Sequence, residues 1–228
     1  MKYILFIAVF CTGSLYSSAQ SGVRIQTGIN LSNVTRSNGS IDESNMLSSF
    51  HAGLIADFKL APSVYLQPGL VYGGKGSKIQ SGTPGTNGYY KQTFNPYYLE
   101  MPVNLVVKTP STVAGRFFLG AGPYISIGIR GKTKTEGQTV LGTTYNVSSD
   151  LVFSNDDPGT FNEEEGAGFG VIKRFDYGAN AVAGFEGKSM VLSVGYGFGL
   201  AKIPSGTNQS AGDDNKHRVI SVNLGLKL

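Results

Sequence analysis

The chain has 228 residues, of which 40% are hydrophobic, and a formal net charge of +4. Its basic residues form no cluster, so the charge does not indicate a nucleic-acid-binding protein. Glycine is frequent, at 32 residues, yet it follows neither a collagen period nor a low-complexity block. No stretch reaches the length of about 18 consecutive apolar residues that a transmembrane helix needs.

The first 19 residues have the layout of a secretory signal peptide. Lys2 supplies a positive start, Ile4–Phe10 form an apolar region, and the small residues Ser17–Ala19 come before the expected cleavage site. The alternative is a buried N-terminal strand or helix. Cys11, the only cysteine, lies inside this segment. We therefore predict a mature domain of residues 20–228 that contains no disulfide.

Eight segments of the mature chain alternate apolar and polar residues, which is the pattern of β-strands with two different faces. In the first segment Val23, Ile25 and Ile29 share one face, while Arg24 and Gln26 share the other. The predicted strands are residues 22–34, 50–60, 64–74, 95–110, 116–131, 176–187, 190–200 and 218–228.

Short and long connections between these strands alternate strictly. Short turns are predicted around Ala61–Pro62, Pro110–Ser111 and Gly187–Lys188. Long connections are predicted over residues 35–49, 76–95, 131–174 and 202–216. A soluble sandwich has no reason to sort its loops in this way, whereas a membrane barrel does. The prediction is an all-β fold, an eight-stranded antiparallel up-and-down transmembrane β-barrel with short periplasmic turns and long extracellular loops.

In such a barrel the apolar face meets lipid and the small and polar residues fill the inside. Eight strands leave room only for packed side chains, so the glycines are expected to relieve crowding. Pro102 is expected to cause a bulge or a local gap, because it donates no ladder hydrogen bond. Aromatic residues near the strand ends are predicted to form interfacial girdles: Tyr72, Tyr97, Phe117, Tyr177 and Phe185. The structural alternative is a soluble lipocalin-type barrel with an apolar interior.

Seven charged residues fall on the predicted inner face. On the lipid face a Lys or Arg would cost about 2–4 kcal/mol at the midplane. We expect Glu100 to pair with Arg24, Lys59 or Arg116. The predicted structural network of the interior is Arg24, Asp57, Lys59, Glu100, Arg116, Asp176 and Glu186.

Three stretches resemble a known family: "YYLEMPVNLVVK", "RFFLGAGPYISIGIRGK" and "FDYGANAVAGFEGKSMVLSVGYGFGLAKI". Their Y-L-E-M-P, G-P-Y and G-F-G-L motifs are similar, in this order, to those of the PorT-like outer-membrane β-barrel proteins of Bacteroidetes. The resemblance covers roughly residues 20–228. It implies an eight-stranded barrel in the outer membrane and gives no catalytic residues. One member of that family is tied to protein secretion across the membrane.

Three other features of the sequence contain residues that bind ligands in other proteins. Gly69–Gly76 differs by one residue from a phosphate-binding P-loop, because Gly76 replaces the required Ser or Thr, so no nucleotide is predicted. His51 and His217 are the only histidines and are expected near the extracellular rim, facing inward. Two such ligands are too few for a zinc site, and we interpret both as solvated rim residues. The acidic segment Ser154–Gly166 lacks the spacing of a calcium loop, so a solvated loop is favoured over a Ca²⁺ site.

The favoured hypothesis is a non-enzymatic barrel with a plugged polar interior, which acts as a structural or surface-interaction protein through its extracellular loops. No catalytic, metal or cofactor site is predicted. One alternative is an accessory component of a protein-secretion system, and another is a barrel enzyme acting on lipid A or acyl chains. A passive porin is disfavoured by the strand number. The expected partners are outer-membrane lipid and secretion or surface proteins, not nucleic acid or nucleotide, and the sequence specifies no oligomeric state.

Overall fold

The computed structural model describes residues 22–34, 46–139, 141–153, 171–203 and 216–228. The predicted signal peptide and the acidic segment 154–166 lie outside them. Among the described residues no helix is long and apolar enough to cross a membrane. The described residues form twelve strands: β1 (Gly22–Val34), β2 (Leu47–Ala61), β3 (Val64–Gly74), β4 (Ser77–Ser81), β5 (Tyr90–Lys108), β6 (Arg116–Gln138), β7 (Thr144–Asp150), β8 (Val152–Phe153), β9 (Val171–Ile172), β10 (Phe175–Glu186), β11 (Met190–Gly199) and β12 (His217–Lys227).

Eight of these strands close into a ring. Its order is β1, β2, β3, β5, β6, β10, β11 and β12, and every neighbouring pair is antiparallel. β12 closes the ring by pairing with β1, from Lys227 opposite Arg24 to His217 opposite Val34. Because each ring strand has a partner on both sides, the ring leaves no open edge. The predicted eight-stranded antiparallel barrel is confirmed.

Short turns join β2 to β3, β5 to β6 and β10 to β11 at one end of the ring, as predicted. In the middle turn Thr112 and Gly115 exchange backbone hydrogen bonds. Gly115 has a φ of 137°, a backbone conformation that favours glycine. The short turns, together with the paired start of β1 and end of β12, therefore define one end of the barrel, which we call the periplasmic end.

Apolar side chains cover the outer surface of the ring. Leu105 and Val107 are 51% and 54% exposed, whereas Val106 between them is fully buried. At the opposite end from the short turns the rings of Tyr72 and Tyr97 stack, with centroids 5.5 Å apart. Near the periplasmic end Phe117 and Phe185 meet edge to face at 5.0 Å. Tyr177, the fifth predicted girdle residue, is also exposed. An apolar wall with aromatic residues towards both ends is the surface that a lipid-spanning barrel requires.

Two of the predicted long loops are partly strands, which corrects the sequence prediction. β5 begins at Tyr90 and β6 continues to Gln138, both beyond the predicted strand ends. β4 pairs with the upper part of β5, and β7 pairs with the upper part of β6. These strands form a four-stranded sheet that continues past the ring, which we call the extension. Its residues, such as Lys132–Glu136, are polar on both faces, so hydrophobic alternation does not mark them.

An apolar cluster lies where the extension leaves the ring. Phe94 of β5 is 2% exposed and Ile172 of β9 is fully buried. They pack with Val34 at the end of β1 and with Leu151 and Ile203. The parallel pair formed by β8 and β9 also lies here, through Phe153, which packs against the same cluster. The extracellular end of the barrel thus has an apolar core of its own.

Pro102 interrupts the ladder between β3 and β5. The pairing stops after Pro68 and resumes at Val71 in an unchanged register. The predicted local gap is therefore confirmed, because proline cannot donate a hydrogen bond there. The bulge of β5 with β6 lies elsewhere, between Tyr97 and Tyr98.

Glycine allows close approach on the inner face of β6. A Cβ atom on Gly122 would overlap the backbone carbonyl oxygen of Val103, and one on Gly128 would overlap the ring of Phe153. A larger residue at Gly122 would force the backbone of β5 to move, and one at Gly128 would displace the ring of Phe153.

Candidate functional site

The inner face near the periplasmic end carries an ion-pair cluster centred on Glu186. This buried carboxylate at the end of β10 lies 2.7 Å from the Nζ of Lys108 and 3.0 Å from a guanidinium nitrogen of Arg116. The ammonium group of Lys227, on β12, is also in contact with it. Glu186 therefore connects β10 to three other strands of the barrel wall, β5, β6 and β12.

Lys108 extends this cluster across the barrel to β2. Its Nζ lies 3.1 Å from the Asp57 carboxylate. A guanidinium nitrogen of Arg24 lies 3.3 Å from the same carboxylate. Gln67 donates a hydrogen bond to the same carboxylate. Tyr65 lies beneath the cations, with the Lys108 Nζ 4.3 Å from its ring centroid. We call this group the periplasmic cluster: Arg24, Asp57, Tyr65, Gln67, Lys108, Arg116, Glu186 and Lys227.

A second cluster lies nearer the extracellular end and is centred on Lys75. The Nζ of this buried residue lies 2.6 Å from the Glu100 carboxylate and 3.0 Å from that of Asp176. Lys75 follows β3, Glu100 belongs to β5 and Asp176 belongs to β10. One cation thus connects two carboxylates from different parts of the wall.

Neutral groups complete the Lys75 cluster. The hydroxyls of Tyr124 and Ser126 donate to Asp176, each at 3.2 Å. Asn180 donates to Glu100 at 3.0 Å. The Lys75 Nζ also lies 4.1 Å from the ring centroid of Tyr124. A buried ion pair needs such additional hydrogen bonds, because its desolvation otherwise outweighs the Coulomb attraction.

A cavity of about 110 Å³ lies between the two clusters. Arg24, Gln67, Glu100 and Asn104 line it, with His51. Within the described part of the chain, the Arg24 Nε and the Asn104 Oδ1 are buried without a hydrogen-bond partner. A polar cavity of this size accommodates several water molecules, which can satisfy such atoms. A second cavity, of about 260 Å³, lies at the periplasmic end against Arg116, Glu186 and Lys227, among others.

Six of the seven predicted interior residues lie in these clusters: Arg24, Asp57, Glu100, Arg116, Asp176 and Glu186. Lys59 does not, and this corrects the prediction. It is exposed, and the ion pairs found within the described ranges do not include it. Lys59 lies where the register of β2 with β3 shifts, two residues from the end of the strand. Its long side chain is therefore close enough to the periplasmic end to remain in water.

The predicted partner of Glu100 is wrong as well. Glu100 pairs with Lys75, not with Arg24, Lys59 or Arg116. Lys75 follows the predicted third strand and was not assigned to the inner face. Val71, Gly73 and Lys75 are alternate residues, so extending the period-two pattern by two residues predicts Lys75 on the inner face. The same rule identifies Gln67.

Both histidines are buried, which corrects their interpretation as solvated rim residues. His51 lies opposite Gly28, at the middle of β1, and is 2% exposed. His217 begins β12 at the extracellular end and is 1% exposed. Its Nε2 lies 3.4 Å from the hydroxyl of Tyr98. His51 lies opposite Gly28 of β1, and His217 lies opposite Val34 of the same strand. These two positions are six residues apart, roughly 20 Å along a strand, so the two histidines are too far apart to bind the same metal ion.

No cluster of three or more His, Cys, Asp or Glu side chains suited to a metal ion occurs in the described ranges. The segment Gly69–Gly76, which differs by one residue from a P-loop, is mostly strand β3, and its lysine points into the barrel. The geometry of the interior is that of ion pairs and hydrogen bonds between walls.

A closed antiparallel ring with an apolar outer wall and a charged inner face defines an integral outer-membrane β-barrel. Comparison with protein families places the chain within this class. Residues 17–204 match the model of the family described as outer membrane protein beta-barrel domain. The chain belongs to this family and is an outer-membrane protein.

Solved structures of two other proteins are similar to the chain. One is Ail, the attachment invasion locus protein of Yersinia pestis, with 11% identity, a TM-score of 0.41 and coverage of 91% of this chain and 99% of that one. The other is Neisserial surface protein A, with 11% identity, a TM-score of 0.42 and coverage of 90% and 97%. No curated protein sequence matches the chain.

Proposed function

We propose that the protein is a non-enzymatic barrel of the PorT-like type with a plugged interior, which acts at the cell surface through its extracellular segments. The observation that carries this proposal is the joining of opposite walls by buried ion pairs. Lys108 connects β5 to β2 and β10, and Lys75 connects the end of β3 to β5 and β10. Two cavities, of about 110 and 260 Å³, border these contacts. The interior is thus suited to holding the walls together and unsuited to transport.

The extension supports a role outside the membrane. It carries β5 and β6 beyond the ring and exposes polar side chains on both faces. All seven residues of β7 are exposed. Export of the chain is proposed to depend on removal of residues 1–19 as a signal peptide. Surface proteins are the proposed partners, and a secretion complex is the alternative.

Single-channel recording tests the plugged interior. The purified full chain, inserted in a planar bilayer, is expected to show no large open conductance, because buried charged side chains obstruct the lumen. A 16-stranded porin, which leaves an aqueous channel, is the positive control. A stable conductance comparable to that of the porin would contradict the proposal and favour a passive pore.

Capture from the extension tests the surface role. A cysteine placed at Thr86, in the exposed turn between β4 and β5, carries a photocrosslinker on intact cells. Recovery of surface proteins through Thr86→Cys and not through Ser111→Cys in a periplasmic turn supports the proposal. Stoichiometric recovery of a secretion complex supports the alternative. Recovery of the same proteins from both positions would show that the extension is not the interaction surface.

A further inference from the structure

The outward face of the extension is rich in cations. Arg130, Lys132 and Lys134 alternate along β6, and all three are exposed. Lys91 of β5 lies opposite Glu136, and Lys78 of β4 belongs to the same outward set of alternate residues. We call this surface the basic face: Lys78, Lys91, Arg130, Lys132 and Lys134.

The basic face continues the lipid-facing wall of the ring. Arg130 marks the boundary, since its Nε donates to the hydroxyl of Tyr72 at 2.9 Å and its guanidinium lies 5.6 Å from the ring centroid of Tyr97. Below it on the same face lies the exposed apolar Ile125. Lys132 and Lys134 lie roughly 7 and 13 Å further along the strand. Apolar wall, aromatic belt and basic face thus follow one another outward along the same surface.

Among the described residues, the two acidic side chains on this face do not balance its charge. Glu136 lies 2.7 Å from Lys91 and 3.2 Å from Lys134, and these two hydrogen-bond donors lower the pKa of its carboxyl. Asp150 of β7 lies opposite Lys132. Against the five cations these two carboxylates leave a surplus of three positive charges. Among the described residues no ion pair includes Lys78 or Lys132.

We propose that the basic face binds the phosphate groups of lipid A in the leaflet that surrounds the extracellular end. A phosphate-bearing lipid has its acyl chains below and its anionic groups above, in the same order as the apolar wall and the basic face. A soluble polyanion would match the cations but would leave their continuity with the lipid-facing wall unexplained. This inference rests on the membrane orientation of the barrel and is independent of the proposed surface role and plugged interior.

Binding of lipid A to the purified full chain tests this proposal. Native mass spectrometry from detergent micelles compares bisphosphorylated lipid A with its dephosphorylated form. The wild type is expected to prefer the bisphosphorylated lipid. Lys132→Gln with Lys134→Gln is expected to weaken this binding about 25-fold, since each lysine near an anionic surface contributes about a fivefold factor. The matched control, Lys59→Gln with Lys188→Gln, removes two exposed lysines of the periplasmic end and is expected to bind as the wild type does.

Two further measurements keep the proposal falsifiable if the double variant does not fold. The charge-preserving pair Lys132→Arg with Lys134→Arg is expected to keep the binding. For the wild type, raising the salt concentration from 0.05 to 0.5 M, about a threefold shorter Debye length, is expected to weaken it. Equal binding of both lipids, equal loss in the periplasmic control, or displacement of the lipid by a soluble sulfated polysaccharide would overturn the proposal.

Discussion

Replacing Glu186 by glutamine is expected to destabilise the folded barrel by about 3–5 kcal/mol, the cost of breaking a buried ion pair. The carboxylate is contacted by Lys108, Arg116 and Lys227, and the Lys108 side chain is only 1% exposed. With a neutral amide at position 186, Asp57 is the carboxylate that remains in the periplasmic cluster to balance these cations. Urea titration of the refolded protein in vesicles, followed by gel migration of unheated samples, measures this loss.

Two variants serve as controls for Glu186→Gln. Glu136→Gln makes the same change in the extension, where the carboxylate is exposed to water and an ion pair contributes little, so stability is expected to stay near that of the wild type. Adding Lys108→Met to Glu186→Gln is expected to restore part of the lost stability, because it removes the buried cation that lost its partner. Equal stability of Glu186→Gln and Glu136→Gln would show that the periplasmic cluster does not hold the walls together.

Lys75→Met is expected to destabilise the folded barrel by a similar amount, about 3–5 kcal/mol. Without the ammonium group, Glu100 and Asp176 are two carboxylates within one buried cluster and no cation lies between them. Methionine keeps most of the volume of the side chain, so the loss reports charge more than packing. The same urea titration measures it.

The matched control is Lys78→Met, three residues along the chain and on the basic face, which is expected to cost little stability. The triple variant with Lys75→Met, Glu100→Gln and Asp176→Asn is expected to be more stable than Lys75→Met alone. Its amides retain acceptors for Asn180 and Tyr124 while they remove the unpaired charges. A triple variant less stable than the single one would contradict this account of the Lys75 cluster.

The faces of the strands were predictable, but the partners inside the barrel were not. A period of two assigns Arg24, Glu100 and Glu186 to the inner face without knowledge of the fold. Which inner residues meet depends on the tilt and stagger of the strands, and these properties are set by the closed ring. Lys75 follows β3 and Glu100 belongs to β5, and their contact results from that stagger. The sequence therefore predicted an interior network but assigned Glu100 the wrong partner.

Depth along the barrel was also poorly predicted. The predicted second strand began at Phe50, whereas β2 begins at Leu47, so His51 was assigned to the rim although it lies opposite the middle of β1. The extension was missed for a related reason. Polar strand residues, such as Thr133 and Thr135, show no hydrophobic alternation, and only their backbone pairing identifies them.

The central claim is that the apolar outer face meets lipid while the polar face is enclosed. The chain contains no tryptophan, so each single substitution provides one fluorophore. Ile125 and Tyr124 are neighbours on β6, one 57% and the other 3% exposed. In vesicles of lipids brominated midway along their acyl chains, Ile125→Trp is expected to be strongly quenched and Tyr124→Trp to be largely protected. Strong quenching of Tyr124→Trp with protection of Ile125→Trp would contradict the barrel orientation described here.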